Sequence, residues 1–103
     1  MDDVIINLLN EIRERPALYL GKKSLKKLVI YVFGYVHCLR HNGMLVEVLP
    51  GFQEYIQKRY KVYTSQHWSS IIDFMSISKE AAFDKFYEHL DEFLKENSGG
   101  GEA

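Results

Sequence analysis

The chain reads as a series of apolar stripes at helical spacing, separated by short polar or Gly/Pro breaks. Over residues 2–14, Ile5, Leu8, Leu9 and Ile12 recur at i, i+3, i+4 and i+7, which places them on one face of a helix. Asp2 and Asp3 stand where a cap and a favourable dipole partner belong. Pro16 disfavours helical backbone in the residue before it, so this helix should stop near Arg15. The segment RPALYLG, residues 15–21, reads as a loop whose Leu18, Tyr19 and Leu20 partly dock onto the core. Ser24 then caps a second helix with Leu25, Leu28, Val29, Val32, Val36 and Leu39 as its main stripe. Ile30, Tyr31, Phe33 and Tyr35 make the rest of that helix apolar too, which predicts a helix buried nearly all round. Gly34 costs about 1 kcal/mol there relative to alanine. The expected return is close approach of a neighbouring backbone or ring. Asn42-Gly43 ends the helix.

Residues 44–49 fit a short strand, a helix start or an extended linker, and Pro50-Gly51 breaks them. A third helix over 52–61 puts Phe52, Tyr55, Ile56 and Tyr60 on one side. Thr64 or Ser65 caps a fourth, with Trp68, Ile71, Ile72 and Met75 inward and Ser69 and Ser70 outward. After a break at 76–78, Ser78 caps the last helix, which runs from 79 to about 96. Its stripe is Phe83, Phe86, Tyr87, Leu90, Phe93 and Leu94, opposite Asp84, Lys85, Glu88, Asp91, Glu92 and Lys95. The expectation is an all-α, compact single-domain bundle of about five helices over residues 1–97, with a disordered tail at 98–103. The alternative is a mainly α domain with one small β-hairpin pairing 44–48 with 62–64.

Composition narrows the function class. The chain has 103 residues, 47% hydrophobic and 26% charged, which is one ordinary globular core. A formal net charge of -1 argues against a dedicated nucleic-acid binder. A single cysteine, an acidic start and no apolar run near membrane-spanning length point to a reduced, cytoplasmic protein with no membrane role. The near-neutral total hides an asymmetry. Residues 1–64 hold ten Lys or Arg against six Asp or Glu, and residues 65–103 hold three against eight. The acidic last helix therefore offers a surface for a basic partner, with Asp84, Glu88, Asp91 and Glu92 as contacts and Tyr87 as an edge anchor if it is exposed. Lys22, Lys23, Lys26 and Lys27 raise the opposite idea of phosphate contacts, but no aromatic-interleaved basic groove or recognition helix follows, so nucleic acid stays a minor expectation.

No catalytic or metal constellation stands out. His37 and His41 are four apart on one helix, but the spacing supplies no third ligand and zinc needs three or four. Cys38 lies in an apolar helix and reads as a buried structural thiol, since His37 beside it in sequence does not face it. No serine lies in a nucleophile motif, and the glycines form no phosphate-cradling loop. The expectation is no enzyme, no cofactor and no metal.

Two resemblances carry further implications. IRERPALYLG, residues 12–21, resembles a stretch near the start of type II topoisomerase ATPase subunits, but the Asn-containing helix and Asp-Gly-x-Gly loop of that ATP site are absent. The order RPALYLG, then Phe33-Gly34-Tyr35 within a helix, then HWSSIIDF (67–74), then EAAFDKFYEHLDEF (80–93) resembles small bacterial immunity proteins found beside polymorphic or contact-dependent toxins. That resemblance implies a cytoplasmic, non-enzymatic protein that binds and blocks one toxin domain. The alternatives are a small regulatory or oligomeric scaffold and, behind it, a small enzyme or nucleic-acid binder.

Overall fold

The computed structural model describes residues 4–102, with side chains over 4–97. The expected caps Asp2 and Asp3 lie outside the described residues, and the expected tail at 98–103 lies outside the described side chains. The chain forms α1 (Val4–Glu14), α2 (Pro16–Leu20), α3 (Leu25–His41), α4 (Phe52–Tyr60), α5 (Trp68–Phe74) and α6 (Lys79–Glu102). The protein is all-α, and no strand occurs among the described residues, so the hairpin alternative is not found.

The helices form where the apolar stripes predict them. Ile5, Leu8, Leu9 and Ile12 are all buried on α1, and Leu25, Leu28, Val32 and Val36 are buried on α3. The α6 stripe, from Phe83 through Phe86, Tyr87, Leu90 and Phe93, closes the other side of the same core. At its centre the Phe52 ring meets Trp68, Phe86 and Phe93 edge-on at centroid distances of 5.0, 5.8 and 5.2 Å. Edge-to-face pairs of this kind add to the area that the large rings bury.

Several local expectations are corrected. Residues 16–20 are a helical turn rather than a loop. Pro16 at the first helical position has its φ already set for helix, and Gly21, at φ 84°, turns the chain out while donating its N–H to Ala17 O at 2.9 Å. Leu20 is buried there, but Leu18 is exposed. α5 is capped by His67, whose Nδ1 accepts the Ser69 N–H at 3.2 Å, instead of by Thr64 or Ser65. The reason is tertiary. Gln53 of α4 accepts the Trp68 N–H at 2.9 Å and donates to Gln66 O at 2.7 Å, which fixes where α5 begins. Met75, expected inward, is exposed just past the end of α5.

Residues 44–50 cross the molecule as irregular chain. Arg40 holds this segment by donating from Nε and Nη2 to Val46 O at 3.2 and 2.7 Å. Leu49, at the unusual φ of 49°, is turned into the core. Ser24 and Ser78 cap α3 and α6 as the sequence indicates, accepting the Lys27 and Ala81 N–H groups at 3.2 and 3.0 Å.

Candidate functional site

The acidic surface expected on α6 is largely neutralised from within. Arg13 of α1 pairs with Asp91 at 2.6 Å and lies over the Tyr87 ring. Lys23 pairs with Asp84 at 3.1 Å, Lys85 with Glu88 at 3.0 Å, and Arg59 approaches Glu92 at 3.7 Å. Glu92 also accepts from the Tyr55 hydroxyl at 3.2 Å and faces His89 Nδ1 at 3.3 Å. These contacts hold its carboxyl below the ordinary range, with the His89 hydrogen bond as the largest cause. Tyr87 is not an edge anchor: it is 6% exposed and donates its hydroxyl to Leu9 O at 2.7 Å. Burial pushes its phenol well above the ordinary value. Of the five residues expected at the interface, four carboxylates thus stay at the surface with internal partners, and the aromatic belongs to the core.

α3 departs most from expectation. It is not buried all round. One stripe packs inward, and Ile30, Tyr31, Phe33 and Tyr35 are exposed, Ile30 at 65% and Phe33 at 48%. At 100° per residue these positions fall outside the 25/28/32/36 stripe, but Tyr31 meets Tyr19 of α2 edge-on at 5.9 Å and Phe33 packs beside His67, so Ile30 is the most open of the four. Cys38, expected buried, is exposed on the same outward side. Gly34 sits among these residues with ordinary helical backbone, and nothing lies within 4 Å of where its Cβ would stand. The close approach that would offset its helix cost does not come from the described residues. Ile30 points most directly away from the buried stripe, with Phe33 on one flank of the helix and Tyr31 and Tyr35 on the other.

The stretch of chain that carries this face is charged with one sign. Residues 15–46 carry six Lys or Arg and no Asp or Glu. Among the described residues, Lys22, Lys26, Lys27 and Arg40 make no salt bridge, whereas the α6 carboxylates above do. Beside Phe33 the face opens into a cleft of about 430 Å³ lined by Phe33, His37, Arg40, Val48, His67 and Trp68. Phe33 meets the His67 ring edge-on at 5.7 Å. Burial holds His67 below its ordinary pKa, so it is neutral near pH 7. Because its Nδ1 accepts from Ser69, its proton sits on Nε2, and its ring lines the cleft together with the Arg40 side chain.

His37 and His41 lie side by side with ring centroids 6.1 Å apart. Among the described residues, no group of three or more His, Cys, Asp or Glu gathers to hold a metal, and no helix is long and apolar enough to cross a membrane. The sequence reading missed the outward α3 face because every residue in it also suits a core. The missed signal was the absence of carboxylates over 15–46. No family model, curated protein or solved structure matches this chain.

Proposed function

We propose that this protein is a non-enzymatic binding protein that engages a protein partner through the outward face of α3. The observation that carries the reading is the exposure of Ile30, Tyr31, Phe33 and Tyr35 on a helix whose opposite stripe is locked into the core. Aromatic anchors on a rigid element are the usual source of binding energy at interfaces. The resemblance through RPALYLG, HWSSIIDF and the last helix supplies the finer reading: an immunity factor that neutralises a bacterial toxin domain in the cytoplasm. An oligomeric scaffold built on the same face is disfavoured by charge. Pairing two copies of α3 in either direction brings Lys26, Lys27 and Arg40 of one copy towards cations of the other.

The test is co-expression with the product of the adjacent gene, read as co-elution and as rescue of growth. Ile30→Glu should abolish both while leaving the helical signal and melting temperature near the parent's, because exposed substitutions change stability little. Full protection by Ile30→Glu would overturn the α3 face. Loss confined to reversal of Asp84, Glu88, Asp91 and Glu92 would move the interface to α6 and overturn it equally.

A further inference from the structure

Resting on that reading of α3 as the binding face, we propose that the partner presents an acidic segment, with carboxylates flanking apolar anchors, whose backbone crosses α3 at Gly34. Two independent observations meet here. The first is the unbalanced charge: Lys26 and Lys27 stand at one end of the exposed run and Arg40 at the other, with no carboxylate from residue 15 to residue 46. At 1.5 Å per residue these ends are roughly 20 Å apart. The matching carboxylates must be spaced by a similar length, about four helical turns of the partner.

The second observation is Gly34. Glycine weakens a helix interior, yet nothing among the described residues uses the missing Cβ, and the position is exposed between Ile30, Phe33 and Tyr35. A glycine lets a second backbone approach more closely than any other residue allows. Ile30, Tyr31 and Phe33 lie within one turn of it and would pack against the partner's apolar anchors. The cleft lined by Arg40 and His67 lies beside Phe33, and the Arg40 charge there would face one of the partner's carboxylates.

Trp68 lines that cleft and is the only tryptophan, so its fluorescence reports occupancy. The probes are a synthetic amphipathic helical peptide with Leu anchors flanked by Glu, its twin with Lys in place of Glu, single-stranded oligothymidylate and phosphatidylserine vesicles. The Glu peptide should bind at least tenfold more tightly than the Lys twin, and the Lys26→Glu/Lys27→Glu double variant should lose most of that preference. Gly34→Ala should raise the melting temperature by roughly 4–8 °C and weaken Glu-peptide binding about tenfold. Opposite signs in stability and binding are what a merely tolerated glycine would not give.

Equal binding of the twins, or stronger binding of the oligonucleotide or vesicles than of the Glu peptide, would overturn the acidic protein partner. Gly34→Ala that stabilises without weakening binding would overturn the crossing at Gly34. In both cases, loss of toxin rescue by Ile30→Glu would leave α3 as the binding face, so the two readings fail separately.

Discussion

His89 is 2% exposed and keeps two polar partners inside the fold. Its Nε2 lies 2.6 Å from the Tyr60 hydroxyl and its Nδ1 3.3 Å from Glu92. Glu92 is held ionised and accepts only, so the Nδ1 proton points to it. Tyr60 is held protonated by burial and donates to Nε2. Burial, the largest cause, lowers the His89 pKa, against an opposing pull from Glu92 and with minor help from Arg59 and Lys85. The unfolded chain therefore takes up a proton near pH 6.5 that the folded chain refuses. The resulting stability is present above that pH and is lost as pH falls through it towards the lower folded value. His67, lowered by burial as well, adds in the same direction. Urea unfolding from pH 7.5 down to pH 5 should show falling stability, and His89→Gln should flatten the slope. A parent slope unchanged by the substitution would contradict this account. Tyr87→Phe tests the other buried hydroxyl. Losing the 2.7 Å bond to Leu9 O should cost about 1 kcal/mol in denaturant midpoint with no change in helical content.

Elements show where local pattern suffices and where it does not. The stripes on α1 and α6 were legible because each alternates with polar residues, so only one face can be buried. The caps Ser24 and Ser78 were legible because a serine before an apolar stripe satisfies orphan N–H groups locally. Ser78→Ala should therefore lower stability by about 1 kcal/mol, measured as a shift in urea midpoint at unchanged slope. The start of α5 was not legible, because Gln53 and Gln57 of α4 hold residues 64–68 across a gap in sequence. α3 was misread for a different reason. Its apolar content exceeds what one neighbouring layer can cover, and periodicity alone does not separate a helix buried on all sides from one that keeps a face for another molecule. Cys38 was misplaced on the same ground, whereas Tyr87 sits on the buried stripe that the pattern of α6 indicates. The thiol lies off the inward stripe, while the phenol lies on the α6 stripe and finds a backbone acceptor.

At the scale of the whole molecule, the two charge populations are folded against each other rather than displayed separately. Arg13, Lys23 and Arg59 reach from the basic part of the chain to Asp91, Asp84 and Glu92 on α6. All three pairs are solvent-exposed, so each is worth at most about 1 kcal/mol and weakens with salt. Their larger consequence is positional. They occupy Asp84, Asp91 and Glu92 of the acidic helix. Among the described residues, Lys22, Lys26, Lys27 and Arg40 are cations of α3 and its approach that make no salt bridge, so a chain of net charge -1 carries an unbalanced basic stretch. That arrangement governs approach more than final affinity. Electrostatic steering raises association rates and is screened once the Debye length shrinks to about 10 Å near 0.1 M salt. The apolar contacts of Ile30 and Phe33 are not screened in this way. Stopped-flow association with the Glu-flanked peptide should therefore slow by about tenfold between roughly 0.03 M and 0.3 M salt. Dissociation should change far less, and the melting temperature should move by only a few degrees. A salt-independent association rate would mean that the cations of α3 do not steer the partner. An association rate that rises with salt would mean that the acidic peptide meets a negative surface, and would contradict a positively charged binding face.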